Sequence, residues 1–273
     1  MADKPNLVFI FSDRQRFDTM ACYGNDWIQT PHLNALADQS FVFENCYVTQ
    51  AVCAPARSSL MTGLFPHATG VPVNKLVQDP DVASIAEMVT PDYVRAYYGK
   101  WHLGDNYPMR TIDQGFEESI VHRGGGLAQP ADPIENNKRY TDPILVHNGR
   151  EVQTKGYCTD VYYDYAIDWI REVKKQDRPF FAYLPTNAPH GPYHDVPEDL
   201  RKHYLKKDLK SLIRGNVRDV DAEVDKLSRI AAMITNFDQN VGRFFEALKA
   251  TDQYENTVVF LMTDNGPNTM RYV

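Results

Sequence analysis

The sequence predicts an α/β fold, a largely parallel central sheet with helices on both faces. Three observations carry this. Residues 7–11, 179–184 and 257–263 are short apolar runs, the pattern of strands buried on both faces of a parallel sheet. Between them lie segments with apolar residues at helical spacing, notably 159–175 and the series Leu227, Ile230, Ile234, Phe237, Val241, Phe244 and Leu248. Each apolar run also stops at polar residues, which places polar groups at the strand ends where open α/β sheets bind ligands.

Taken in order, the run 7–11 ends at Ser12, Asp13, Arg14 and Gln15. Thr30 and Pro31 are the N-cap and first residue expected of a helix reaching Gln39. Residues 41–48 have the composition of a strand, leading to a helix that starts near Cys53. Pro55 suits its first turn and Gly63 its end. A short helix over 84–89 precedes a strand over 93–98, which runs into Gly99-Lys100-Trp101-His102-Leu103-Gly104. Residues 105–157, rich in Gly, Pro, Asp and Asn, are expected to form a long excursion from the fold. Residues 191–220, charged and irregular, are expected to form a second. The strand over 179–184 delivers Asn187-Ala188-Pro189-His190, and the strand over 257–263 delivers Asp264-Asn265-Gly266. No internal repeat divides the chain, so residues 1–273 are taken as one domain.

Length and composition set the outer limits. The chain has 273 residues, 43% of them apolar, ample for a sizeable core. A net charge of −7 argues against nucleic acid or an anionic membrane as partner, because neither attracts an acidic surface. An anionic small molecule would have to meet local positive charge. The four cysteines, at 22, 46, 53 and 158, show neither metal-type spacing nor disulfide density. The run 7–11 is too short for a signal peptide or a membrane span, so the expected location is cytoplasmic.

The chemistry gathers at the strand ends. Cys53 at a helix N-terminus, with Arg57 one turn further on, makes a place for an oxyanion. Lys100 offers a point charge, and His102 titrates near neutrality. Asp13 and the pair Asp264-Asn265 carry the oxygen donors that a hard cation needs, although Asn265-Gly266 alone also has the form of a tight hairpin turn.

Cys53, Pro55, Arg57, Leu60, Thr62 and Gly63 together resemble the signature of the type I sulfatases, within the alkaline-phosphatase superfamily. Residues 99–104 resemble that family's second signature, and the matching anchors run from Asn6 to Gly266. The resemblance implies that Cys53 is oxidised after synthesis, by a formylglycine-generating enzyme, to formylglycine whose hydrate attacks a sulfate ester. It implies that Asp13, residue 53, Asp264 and Asn265 hold Ca²⁺ (or Mg²⁺ or Mn²⁺). Arg57 and Lys100 would stabilise the transferred group, His190 would protonate the leaving oxygen, and His102 would orient residue 53 or act as base. The substrate would be a small sulfate ester, for instance a sulfated sugar. A phosphonate or phosphate ester hydrolase, and a non-catalytic anion-binding relative, are the alternatives.

Two departures stand out. The family's second acidic residue follows the first directly, and here that position holds Arg14, which cannot ligate a metal. Completion of the metal site by water or Gln15, or its loss, are both open. The family also continues past the Asp-Asn-Gly strand with another active-site Lys, further strands and a C-terminal subdomain, so this chain corresponds to its N-terminal part.

Overall fold

The computed structural model describes residues 4–127, 129–137 and 139–267. Seven strands form one sheet: β1 (Asn6–Ser12), β2 (Val94–Lys100), β3 (Glu118–His122), β4 (Ile144–His147), β5 (Arg150–Gln153), β6 (Phe180–Pro185) and β7 (Thr257–Thr263). The spatial order is β5-β4-β3-β2-β6-β1-β7. The pairings β2–β3, β2–β6, β1–β6 and β1–β7 are parallel, and β3–β4 and β4–β5 are antiparallel.

Two residues per pleat decide which helices cover which face. Val8 and Ile10 of β1, with Ala96, Tyr98, Phe180, Ala182 and Leu184, face a core built with α1 (Pro31–Ala37), α4 (Cys158–Lys174) and α6 (Val220–Ala250). Phe9 and Phe11, with Tyr97, Phe181 and Tyr183, face the other way, toward α2 (Cys53–Thr62) and α3 (Ile85–Met88). On that second face an aromatic row crosses four strands. Phe9 stacks on Phe260 at 4.5 Å and on Tyr183 at 5.7 Å, and Tyr183 stacks on Tyr97 at 5.1 Å. Such pairs contribute about 0.5–1.5 kcal/mol each beyond the area they bury. The row therefore pins the register of β7, β1, β6 and β2, and with it the heights at which their ends emerge.

The helix-period series in α6 is confirmed: every member from Leu227 to Leu248 is buried. Asp219 caps α6 by accepting from the Ala222 amide, and Ser84 with Glu87 forms a capping box at α3. Gly63, at φ 73°, terminates α2 in the left-handed conformation. Among the described residues no helix is long and apolar enough to cross a membrane.

Three expectations fail. Residues 41–48 form no strand. They are exposed throughout, Phe41 at 95%, because no described strand offers them a ladder of hydrogen-bond partners. The segment 105–157 is not an excursion, since it adds β3, β4 and β5 to the sheet. Its hairpin turns at Asn148-Gly149, with φ of 48° and 81°, the two left-handed residues that a two-residue turn between twisted strands requires. The segment 191–220 contains a helix, α5 (Glu198–Leu205), packed on α6.

Gly99, at φ 138°, lies where β2 passes close to the end of β6. A Cβ there would stand 2.2 Å from the Pro185 carbonyl oxygen, a backbone atom that cannot swing aside. Gly99→Ala is therefore expected to destabilise the fold by about 1–3 kcal/mol or more, read as a lower urea midpoint at unchanged slope.

Candidate active site

Four neighbouring parallel strands, β2, β6, β1 and β7, deliver Lys100, His190, Asp13 and Asp264 to one edge of the sheet. Backbone bonds between the loops hold the ends together. The Asp13 amide donates to the Ala188 carbonyl at 2.9 Å, and the Asp264 amide donates to the Ser12 carbonyl at 3.2 Å. Cys53 enters from the first turn of α2, 2% exposed.

Asp13 is the hub. One of its oxygens accepts from Lys100 Nζ at 2.6 Å, and Arg57 Nη2 lies 3.6 Å from the same oxygen. The other oxygen lies 3.9 Å from Cys53 Sγ. Arg57 bridges to the second acid: Nε donates to Asp264 Oδ2 at 3.0 Å, and Nη1 donates to the Lys100 carbonyl at 2.8 Å. The Tyr97 hydroxyl donates to that same carbonyl at 2.6 Å. Lys100, Asp13, Arg57 and Asp264 are all buried.

The charges tune one another. Burial opposes ionisation of Asp13, but Lys100, His190 and Arg57 hold its carboxyl well below the usual carboxylate range. Burial and the adjacent charge of Asp13 push Asp264 the other way, upward. Arg57 stays firmly protonated, because Asp264 and Asp13 outweigh its desolvation. Burial, then Lys100 and Arg57, lower His102 to about 3, so it is a neutral imidazole at ordinary pH. His190 is lowered by burial as well. Its Nδ1 faces the Gly191 carbonyl, an acceptor only, so Nδ1 carries the proton and Nε2 is left as an acceptor.

Asp13, Cys53, Arg57, Lys100, His190 and Asp264 thus converge. His102 stands beside them at φ 63°, with Nδ1 buried and unpartnered. Gly125 packs so tightly on it that a Cβ there would fall 2.7 Å from His102 Nε2. Asn265 is buried next to Asp264 with its amide nitrogen unpartnered. Tyr97, His122 and Gly125 support the site without having been predicted. Tyr97 and His122 sit in strands and carry no sequence signal apart from their apolar or mixed surroundings. The triple glycine 124–126 was visible, but not the ring that it shelters.

The donors do not fit a hard divalent cation as arranged. Such an ion takes about six to eight oxygens. Here one Asp13 oxygen is taken by Lys100, and both Asp264 oxygens are taken, one by Arg57 and one by the Arg14 amide at 3.0 Å. Among the described residues, the one grouping of potential ligands is Asp13, Cys53 and His190, within 4.8 Å of one another. That set mixes thiol, imidazole and carboxylate, and Lys100 already sits against its only carboxylate. The expected Ca²⁺, Mg²⁺ or Mn²⁺ therefore finds no ready oxygen cage.

Fold and site define an α/β protein that holds a buried cysteine, at a helix N-terminus, against a wall of cations. The profile of the sulfatase family matches residues 5–272, and the chain belongs to that family. It is 31% identical over 199 residues to an N-acetylglucosamine-6-O-sulfatase of Bacteroides thetaiotaomicron, covering 72% of this chain and 33% of that protein. It is 29% identical over 272 residues to an ulvan-active sulfatase of Formosa agariphila, covering 96% and 50%. The chain thus spans half or less of the length of these relatives. The crystal structure of Ps i-CgsB in complex with k-i-k-neocarrahexaose superposes with a TM-score of 0.82 at 28% identity, covering 97% of this chain and 59% of that one. A phosphonate monoester hydrolase of Agrobacterium radiobacter shares the fold, with a TM-score of 0.67 at 20% identity, covering 96% and 63%.

His102 and His122, each lowered from 6.5 to about 3 chiefly by burial, tie the site to acid stability. The unfolded chain takes up these protons below pH 6.5, whereas the folded chain resists until about pH 3. The stabilisation is complete above pH 6.5 and is lost as pH falls through that window. His122→Asn removes one of the two groups, so its melting temperature is expected to fall less steeply between pH 6.5 and 3 than that of the parent.

Proposed function

We propose that this protein is a sulfuric ester hydrolase, with formylglycine made from Cys53 as nucleophile and a sulfated sugar as substrate. The observation that carries this is the placement of Cys53: buried in the first turn of α2, 3.9 Å from Asp13, with Arg57 and Lys100 in the same wall. The sugar rests on the relatives, two of which are named for amino-sugar or polysaccharide sulfate esters.

The chemistry follows from the residues. One hydroxyl of the formylglycine hydrate attacks sulfur, and the bond from sulfur to the sugar oxygen breaks. The attacking hydroxyl loses its proton and the departing alkoxide gains one. His190 Nε2, an acceptor at rest, takes the first proton and returns it to the leaving oxygen. Arg57 and the N-terminus of α2 face the charge on the sulfuryl oxygens, preorganised and desolvated. His102, neutral at working pH, takes the proton of the remaining hydroxyl. Sulfate is then expelled, the aldehyde re-forms, and water rehydrates it. Lys100, paired with Asp13, keeps the acid ionised and residue 53 oriented.

The phosphonate monoester hydrolase shares this fold, so sulfate against phosphorus is a matter for substrates. The decisive test combines peptide mass and turnover after co-expression with a formylglycine-generating enzyme. The tryptic peptide 17–57 is expected to exchange H₂S for oxygen at Cys53, and Cys53→Ala to abolish hydrolysis of a 6-O-sulfated amino sugar. An unmodified thiol, with the maturation enzyme active on a control, would leave a non-catalytic anion-binding protein. Preferential hydrolysis of a phosphonate monoester would move the assignment to phosphorus.

Gly125→Ala should act through His102. The ring must move, so kcat is expected to fall at least about tenfold while KM changes little. A proportional loss in both would mean that the loop binds substrate instead.

A further inference from the structure

The cation at position 14 stands where the fold brings its two buried acids together. Arg14 follows Asp13 directly, at φ 64°, a conformation that side-chain-bearing residues seldom adopt. Its amide is spent on Asp264 Oδ1 at 3.0 Å, so its backbone is tied to the second acid. Its guanidinium is within hydrogen-bonding range of the Cys53 sulfur, feels the charges of Asp13 and Tyr193, and has its own charge felt at His190. Among the described residues Arg14 makes no ion pair with a carboxylate, and its Nε is buried without a partner. Lys100 and Arg57, by contrast, are already committed to Asp13 and Asp264.

The charge count points the same way. Two carboxylates, Asp13 and Asp264, face three cations, Arg14, Arg57 and Lys100. Counted as formal charges, the site carries at least one net positive charge from these side chains, and more where Asp264 is protonated, enough to receive a monoanionic sulfate ester. A dication added to it would raise that to at least three, in a buried space where each like-charge pair is costly. Arg14 lies beside residue 53, and its charge is felt at His190.

We infer that Arg14 replaces a divalent cation in this site: its guanidinium holds a sulfuryl oxygen and the hydroxyl of residue 53, and the protein binds and turns over its sulfate ester without a metal. This rests on the sulfatase reading above for the turnover, but not for the binding. Arg is suited to the task, being planar, permanently charged and able to present two parallel donors to an oxyanion. The unpartnered Nε is then a donor kept for the ligand.

The test uses inorganic sulfate and metal content, neither of which requires turnover or a matured Cys53. The whole protein is incubated with Ca²⁺ or Mg²⁺, desalted and assayed by plasma mass spectrometry, and sulfate affinity is measured by calorimetry with and without EDTA. The inference expects far less than one equivalent of metal and a sulfate affinity that EDTA leaves unchanged. Arg14→Gln should weaken sulfate by about ten- to a hundredfold, the range for loss of a charged hydrogen bond. Arg14→Lys, which keeps the charge and guards against a simple folding defect, should retain part of the affinity. Arg14→Asp should acquire close to one equivalent of Ca²⁺. Stoichiometric metal in the parent, sulfate binding abolished by EDTA, no sulfate binding by the folded parent, or an Arg14→Gln affinity equal to the parent's would each overturn it. Failure of Cys53 to mature, with these readouts as expected, would overturn the hydrolase reading alone.

Discussion

The contact between Lys100 and Asp13, 2.6 Å long and wholly buried, is the constraint on which the site depends. Removing two charges from water costs several kcal/mol each in real proteins, and their attraction offsets this only with good geometry and further partners. Both are present. Arg57 stands behind Asp13 and reaches across to Asp264, and Tyr97 shares the Lys100 carbonyl with Arg57. The network joins the ends of β2, β1 and β7 with the first turns of α2, so a hydrophobic replacement at any one position would strand a charge at another. Its value lies less in stability than in locking where residue 53 sits.

The sheet explains why the network can be so exact in position. Strand register is set by an aromatic row: Phe9, Tyr183, Tyr97 and Phe260 stack across neighbouring strands on the face toward α2 and α3. Opposite them, α4 and α6 pack on the other face through the larger apolar core. Two close backbone approaches complete the frame. Gly99 meets Pro185, and Gly125 meets the His102 ring. At the first a methyl group would meet the β6 backbone, and at the second it would displace the His102 ring.

Much of this was legible, and the parts that were not have physical causes. The strands β1, β2 and β6 are largely buried on both faces, so their apolar runs stand out. β7 was expected to be buried in the same way, but it lies at the edge of the sheet and is half exposed, with Val258 at 42% and Phe260 at 43%. The polar residues after these four strands are the candidate site. The helix series in α6 fits its period without a break. By contrast, β3, β4 and β5 are short and partly exposed, with His, Glu and Arg among their residues, so their composition resembles a loop. The turn at Asn148-Gly149 was a readable hairpin signal, and the same dipeptide at 265–266 attracted that reading instead, although it follows a parallel strand. Residues 41–48 have strand composition, but composition cannot supply a pairing partner. Arg14 was visible as an obstacle to metal binding. The placement of its guanidinium beside Cys53 was not legible, because side-chain direction at a left-handed residue is not written in the sequence.

The sheet order also sets a timetable. β1 pairs with strands that begin 174 and 251 residues later by register, Phe180–Pro185 and Thr257–Thr263. Contacts so distant close slowly, since the intervening chain must be ordered first. Synthesis at about 5–20 residues per second therefore presents the segment around Cys53 long before β6 and β7 exist to enclose it. Once they dock, the sulfur is sealed from any macromolecule. A macromolecule that modified that position would have to act before the sheet closes, and the long-range topology would give it a head start.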